Sequence, residues 1–129
     1  GHRLSTAEME EVVASHSSVA ECAVIGIHDD LKGQIPLALA VTKTDNIIAE
    51  SVIEDEVVLD VRHQIGAVAS LKRVIVVNRL PKTRSGKILR KLLRSMADKE
   101  DYKIPSTIDD VAIIDEINNV YKTHRVGKH

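Results

Sequence analysis

The stretch LPKTRSGKIL, residues 80–89, separates an apolar run that predicts a β-strand from a pattern that predicts a helix. In the helical pattern, the apolar side chains at 88, 89, 92, 93 and 96 fall on one face. Pro81 fixes its own φ and cannot donate to a strand ladder, while Gly86 permits a tight turn. The sequence therefore predicts a short loop that carries Lys87 to the start of a helix.

Three cations, Lys82, Arg84 and Lys87, lie in this loop. A helix N-terminus is partially positive and favours anions, so stability alone does not explain the position of Lys87. Free N–H groups beside several cations suit a bound phosphate or carboxylate. The alternative is a solvated basic loop, because charged side chains mostly face water. A Walker A loop is excluded, since it requires glycine where Pro81 stands.

Two helices are predicted upstream of the loop. Ser5 as N-cap with Glu8 forms a capping box for the first, and Ser51 with Glu54 repeats this pattern for the second. Gly66 is expected to end the second helix.

Two apolar runs between these helices, 19–27 and 37–43, predict antiparallel strands. Pro36 is expected to open the second strand, where a strand tolerates it. The aspartates at 29 and 30 indicate a turn, and an acid–base pair is the alternative interpretation. With the run at 71–78 as a third strand, the sequence predicts an α+β fold, a small three-stranded, mainly antiparallel sheet flanked by helices.

Downstream, Arg90, Lys91 and Arg94 lie opposite the apolar face of the helix after the loop. They form either a solvated face or a guide for polyanionic substrates. Ser106 with Asp109 predicts the cap of a last helix, and residues 123–129 are expected to fray.

Composition restricts the classes of function. A chain of 129 residues with a net charge of −1 has no global field for nucleic acid or membrane, and two tyrosines are too few for a base-stacking platform. The single cysteine, Cys22, is interpreted as a small buried hydrophobe, with a reactive thiol as the alternative. The six histidines show no metal-binding spacing, so no protein-held metal is predicted. We expect the chain, which begins within a motif, to be part of a longer protein.

The segment PKTRSGK, residues 81–87, resembles the C-terminal signature of the AMP-forming acyl-CoA synthetases. These enzymes belong to the superfamily of adenylating ligases that includes firefly luciferase. The Lys-Thr-Arg-Ser variant resembles the short-chain branch, the acetyl- and propionyl-CoA synthetases. The segments GHRLST (1–6), 26–34, VRHQIG (61–66) and STIDD (106–110) also resemble motifs of that branch.

This resemblance implies a mobile C-terminal lid domain, residues 1–104, with residues 105–129 as its C-terminal helix and tail. An N-terminal domain of the same enzyme would supply the ATP phosphate loop, the acyl pocket and most of the contacts to the Mg²⁺ that accompanies ATP. The implied reaction activates acetate or propionate with ATP to an acyl-AMP, and CoA then takes the acyl group and releases AMP. The chain alone is expected to be inactive.

The resemblance also assigns roles to four residues. Lys87 matches the catalytic lysine of adenylation, which in this family is reversibly acylated, so a protein acetyltransferase and a deacylase are implied partners. Gly1 matches a glycine beside the pantetheine tunnel, and Arg3 matches an arginine near the adenylate phosphate. Arg62 matches an arginine at the nucleotide end of CoA. Its alternative role is a cation favoured by the dipole at a helix C-terminus.

Two other functions are weighed against this one. The first is an adenylation domain that loads a carrier protein. The second is a non-enzymatic basic-helix module that binds nucleic acid, which the near-zero net charge disfavours. A cytoplasmic location is expected, with the mitochondrial matrix as the alternative.

Overall fold

The computed structural model describes residues 6–66 and 71–127. Within these residues the chain forms four helices and three strands: α1 (Thr6–Ala14), β1 (Val19–Asp29), β2 (Gly33–Thr42), α2 (Glu50–Gln64), β3 (Val74–Val76), α3 (Arg90–Ala97) and α4 (Ile113–Thr123). The predicted α+β class with a three-stranded sheet is confirmed. None of the helices in the described residues is long and apolar enough to cross a bilayer.

The sheet has the order β1-β2-β3. β1 and β2 form an antiparallel hairpin from Val19↔Thr42 to Asp29↔Gly33, as predicted. β3 is shorter than expected and runs parallel to β2 over three residue pairs. The parallel pairing follows from α2, which returns the chain to the same end of the sheet before β3 begins.

Alternation along the strands produces two separate cores. One face packs against α3 and α4 through Ala23, Ile25, Leu37, Leu39 and Ile75. The other face packs against α1 and α2 through Cys22, Val24, Ala38, Ala40 and Val74. Because side chains on a strand point alternately to opposite faces, each strand contributes to both cores. α3 and α4, which follow residues 80–89 in the chain, therefore lie on the opposite side of the sheet from α2.

The turn between β1 and β2 follows the predicted chemistry. The Asp29 carboxylate accepts hydrogen bonds from the backbone N–H groups of Leu31 (3.2 Å) and Lys32 (2.8 Å). A carboxylate that closes its own turn in this way has a structural role.

Pro36 does not open β2, as the sequence suggested, but lies inside it opposite Gly26. The Ala38 N–H donates toward β3, to the Arg73 carbonyl. The nitrogen of Pro36, two residues earlier, points to the same side but lies before the three pairs between β2 and β3. The strand therefore loses no ladder bond at Pro36.

The second capping box is wrong. α2 begins at Glu50, with Ala49 as N-cap and no side-chain capping bond. The Glu54 carboxylate instead accepts the Val74 N–H at 2.9 Å, which ties α2 to β3. Gly66 follows the end of the helix with φ +115°, as expected. The first capping box depends on Ser5, which lies outside the described residues.

The C-terminal region also differs from expectation. α4 begins at Ile113 with Ala112 as N-cap, so Ser106 and Asp109 do not cap it. The predicted fraying is wrong for residues 123–127, because Val126 is buried and its N–H donates to the Tyr121 carbonyl at 2.9 Å.

Candidate functional site

Lys87 follows the tip of a tight hairpin. The Thr83 N–H donates to the Lys87 carbonyl at 2.9 Å, and the Gly86 N–H donates to the Thr83 carbonyl at 2.9 Å. Gly86 has φ +93°, the left-handed conformation that a three-residue hairpin loop requires at its last position. Two hydrogen bonds thus hold the loop residues 84–86 in a turn, and glycine at position 86 avoids the steric strain of a positive φ.

This geometry corrects the expectation that Lys87 lies at a helix start. α3 begins only at Arg90, with Leu89 as N-cap. Ile88 pairs with Lys82 across the hairpin, and the Leu89 N–H donates to the Pro81 carbonyl at 2.9 Å. The apolar residues at 88 and 89 fit the helical period, but hairpin pairing holds them in a non-helical conformation.

Most N–H groups of the loop already have acceptors, whereas the sequence suggested free N–H groups. The Lys87 N–H donates to Thr83 Oγ1 at 3.1 Å, and Thr83 Oγ1 lies 2.9 Å from Ser85 Oγ. The Arg84 N–H donates to the Thr107 carbonyl at 2.9 Å. These N–H groups are therefore not free to bind a phosphate, and the hairpin instead presents exposed side chains, among them that of Lys87. The role of the Thr83 hydroxyl was missed, although threonine at the start of a turn is a known signal for such bonds.

A C-terminal segment pairs with the other side of the hairpin. Thr83 forms an isolated bridge with Ile108, and the Asp109 N–H donates to the Lys82 carbonyl at 2.9 Å. Residues 82–83 thus lie between two extended partners, 87–88 and 107–109. Sequence analysis missed this contact, because residues 106–109 carried a helix-capping pattern.

Arg79, just before the hairpin, holds the same segment through its side chain. Its Nη1 donates to Asp110 Oδ2 at 2.7 Å, and its Nε donates to Glu116 Oε2 at 3.0 Å and Oε1 at 3.2 Å. These hydrogen bonds lower the pKa of both carboxyls and raise that of Arg79. One guanidinium therefore joins the start of the hairpin to the first turn of α4.

Six cations lie between residues 82 and 94, and two of them have structural partners. Lys82 Nζ lies 2.5 Å from Glu21 Oε2. Arg90 Nε donates to Glu10 Oε2 at 3.1 Å, and the same oxygen accepts the Val24 N–H at the open edge of β1. Arg90 thus joins α3 to α1, and it does not belong to a solvated basic face.

The other four cations of this region are exposed and have no side-chain partner among residues 6–66 and 71–127. They are Arg84, Lys87, Lys91 and Arg94. Lys87 and Lys91 also line a groove of about 740 Å³ between α3 and residues 101–105. The apolar part of the groove includes Leu92, Tyr102 and Pro105. The Lys87 ammonium therefore lies free beside a partly apolar surface.

Arg62 lies in the last turn of α2 and is exposed. No described residue pairs with its side chain. Because α2 and α3 cover opposite faces of the sheet, the structure does not bring Arg62 and Lys87 together. Gly1 and Arg3, the two other predicted site residues, lie outside the described residues.

Cys22 is buried, and its thiol donates to the Glu10 carbonyl at 3.4 Å. Burial raises the pKa of this thiol to about 11. Since the thiolate is the nucleophile, Cys22 is a core residue and a poor nucleophile at neutral pH. The described part of the chain contains no group of three or more side chains that could hold a metal ion.

Comparison with protein families finds one match. The family model described as the C-terminal domain of AMP-binding enzymes matches residues 8–87, which end at Lys87. This region includes β1, β2 and the hairpin as far as Lys87, whereas α3 and α4 lie beyond it.

Individual relatives match nearly the whole chain. The mitochondrial acyl-CoA synthetase short-chain family member B of Dictyostelium discoideum is 48% identical over 98% of this chain and 18% of its own length. The acetyl-coenzyme A synthetase of Psychrobacter cryohalolentis is 40% identical over 100% of this chain and 20% of its own length. The crystal structure of a Brucella canis acyl-CoA synthetase superposes with a TM-score of 0.67 and 33% identity, over 74% of this chain and 17% of that one. The chain thus spans about a fifth of the length of the curated relatives it matches.

Proposed function

Since this chain belongs to the family of AMP-binding enzyme C-terminal domains, we propose that it is the C-terminal domain of an AMP-forming acyl-CoA ligase. The whole enzyme would activate a short-chain carboxylate, acetate or propionate, with ATP and transfer the acyl group to CoA. The observation that supports this most directly is Lys87, an exposed ammonium without a described partner at the end of a hydrogen-bonded hairpin. Relatives of the chain that are named short-chain acyl-CoA and acetyl-CoA synthetases support a short-chain carboxylate as the substrate.

In the first half-reaction, a carboxylate oxygen attacks the α-phosphorus of ATP and pyrophosphate leaves. Two anions must approach each other, and negative charge develops on the phosphoryl oxygens. A cation held between them offsets the repulsion, and it acts more strongly where water is excluded. Lys87 would occupy that position when the domain closes over the rest of the enzyme. The hairpin restricts the backbone, so that only the side chain must be ordered.

Mg²⁺ enters with ATP as part of its substrate complex. Following the resemblance to the family, we assign Mg²⁺, together with the ATP phosphate loop and the acyl pocket, to the remaining part of the enzyme.

In the second half-reaction, the thiol of CoA attacks the acyl carbonyl carbon and AMP leaves. We assign Arg62 to the phosphorylated nucleotide end of CoA, where a guanidinium supplies a fork of donors. Arg3 would contact the adenylate phosphate, and Gly1 would leave room for pantetheine. Arg62 is on α2 and Lys87 is on the hairpin that leads into α3, and these two helices cover opposite faces of the sheet. This arrangement supports a domain that presents a different face for each half-reaction.

Acylation of Lys87 would regulate the first half-reaction. The exposed ε-amine is accessible to a protein acetyltransferase and a deacylase. Acylation removes the positive charge that adenylation requires. We propose these two enzymes as partners in either the cytoplasm or the mitochondrial matrix.

The test of this function uses the complete enzyme with Lys87→Ala and assays the two half-reactions separately. Formation of acyl-AMP from ATP and acetate is expected to fall roughly 10²–10³-fold, as for loss of one transition-state donor. Acylation of CoA from supplied acetyl-adenylate is expected to remain near the wild-type rate. Lys91→Ala is the matched control, because Lys91 is also an exposed lysine on the same groove. Normal adenylation by Lys87→Ala would refute the assignment.

Arg62→Ala tests the second half-reaction. The KM for CoA is expected to rise about tenfold, because charge-assisted hydrogen bonds are lost, with adenylation unchanged. Arg94→Ala is the control, since Arg94 is exposed on the other side of the sheet. An effect on ATP alone would contradict the role of Arg62. A carrier protein accepting the acyl group in place of free CoA would favour the carrier-loading alternative.

A further inference from the structure

The contacts of Arg79 extend the site beyond the residues that the proposed function assigns. Arg79 precedes the Lys87 hairpin, and its two carboxylate partners, Asp110 and Glu116, lie 31 and 37 residues further along the chain. The family model ends at residue 87, so neither carboxylate belongs to the part that it matches.

The backbone of the hairpin is held to the same distant segment. The Asp109 N–H donates to the Lys82 carbonyl, and the Arg84 N–H donates to the Thr107 carbonyl, both at 2.9 Å. Together with the Arg79–Asp110 ion pair, three contacts join residues 79–84 to residues 107–110. Only one strand of the hairpin, 82–83, is held in this way, and the other strand carries Lys87.

The C-terminal segment is fixed in turn by the core. The Asp110 Oδ1 atom accepts the Ala112 N–H at 3.0 Å, just before α4. Glu116 belongs to α4, whose Tyr121 hydroxyl donates to the Leu93 carbonyl of α3 at 2.9 Å. A continuous series of contacts therefore leads from the packed helices to the hairpin.

We propose that residues 107–116, tied by Arg79, set the position of the hairpin that carries Lys87, so that Arg79, Asp110 and Glu116 are positioning residues for adenylation. This inference rests on the proposed role of Lys87. The physical reason is that a reacting cation acts only within a narrow range of positions, and a displacement of about 1 Å can cost roughly 10²-fold in rate.

A purely stabilising role would give a different result. All three side chains are close to half exposed, and exposed ion pairs contribute little to folding stability. Replacing Arg79 is therefore expected to leave the fold intact while loosening the hairpin. The effect on catalysis should pass through Lys87 and spare the step that does not use it.

The test is a double-mutant cycle in the complete enzyme with Arg79→Met, Lys87→Ala and the pair. Arg79→Met is expected to slow acyl-AMP formation about tenfold in the wild-type background, with the melting temperature and the CoA half-reaction retained. In the Lys87→Ala background, Arg79→Met is expected to have no further effect, because residues that act through one another are not additive. Glu116→Gln and Asp110→Asn should each reproduce part of the loss. Arg94→Met is the matched control.

The outcomes separate this inference from the proposed function. If Lys87→Ala abolishes adenylation while Arg79→Met does not slow it, the positioning role is wrong and the proposed function stands. If Arg79→Met slows both half-reactions equally, or slows adenylation equally with and without Lys87, Arg79 is merely structural. If Lys87→Ala leaves adenylation intact, the proposed function fails, and this inference fails with it.

Discussion

The C-terminal residues that were expected to fray provide the sharpest test of the packing. Gly127 has φ +89°, and a Cβ atom built on it would lie 2.2 Å from the carbonyl oxygen of Ala97 in α3. Gly33, the first residue of β2, has nearly the same backbone conformation, φ +84°, but its Cβ would meet no atom within 4 Å. The two glycines thus share the conformational strain of an added side chain and differ in the steric clash.

Gly33→Ala is expected to destabilise the domain by about 1 kcal/mol. The left-handed conformation costs an L-residue about 1–2 kcal/mol. Alanine offsets roughly 0.4–1 kcal/mol of this, because it lowers the conformational entropy of the unfolded chain. Gly127→Ala bears the same strain and must also relieve the clash. Residues 126–127 can move away from α3 only if the Val126 N–H loses its hydrogen bond to the Tyr121 carbonyl and Val126 loses its burial. Together these two contributions are worth about 2–4 kcal/mol. This sets an upper limit on the cost of the clash, and overpacking typically costs about 1–3 kcal/mol.

Gly127→Ala should therefore destabilise the domain by about 2 kcal/mol more than Gly33→Ala does. Urea unfolding of the 129-residue chain, followed by circular dichroism, measures both free energies, provided that the slopes agree. Equal destabilisation by the two substitutions would show that residues 123–127 do not pack on α3, and the reasoning would be refuted.

Two other predictions concern buried polar groups. Because the pKa of Cys22 is raised from 9.0 to about 11, its stabilising contribution is complete below pH 9 and is lost as the pH rises toward 11. The free energy of unfolding of the wild type relative to Cys22→Ala should thus fall by roughly 2 kcal/mol between pH 8 and pH 11. Urea unfolding with a reductant present measures it. A difference between the two proteins that does not change with pH would contradict the raised pKa. Tyr121→Phe removes the hydroxyl that donates to the Leu93 carbonyl and should cost about 1 kcal/mol. Tyr102→Phe, at a tyrosine 38% exposed, is its control and should change stability by less than about 0.5 kcal/mol.

Sequence analysis succeeded where structure depends on neighbours in the chain. Two apolar runs and the turn at Asp29 predicted the β1–β2 hairpin, and glycine predicted the end of α2 at Gly66. It failed where a side chain or backbone group has a distant partner. Glu54 fits a capping box but bonds to β3, 20 residues away. Asp109 also fits a capping box, but its backbone N–H donates to the Lys82 carbonyl.

The candidate site divides in the same way. Resemblance to a family singled out Lys87, and the structure places it on an exposed hairpin. The helical pattern of residues 88 and 89 predicted a helix start at Lys87, but these two residues pair across the hairpin and the helix begins only at Arg90. Nothing local pointed to Arg79, because its partners lie 31 and 37 residues further on. A single sequence reveals the residue types that chemistry requires more readily than the contacts that position them.

The pairing of the cations between residues 82 and 94 argues against a simple solvated loop. Lys82 and Arg90 have carboxylate partners on β1 and α1, so each holds the segment to the body of the domain. Lys87 lies between them in sequence, on a backbone whose N–H is already bonded to Thr83, and its own side chain has no partner in the described residues. An exposed lysine without a partner contributes almost nothing to folding, and a loop that only needs solubility does not need fixed ends. Fixed ends lower the entropy that must be lost when one ammonium is ordered against a ligand. Under the proposed function a lysine suits position 87, because its flexible stem could enter a second domain and withdraw when the two domains separate.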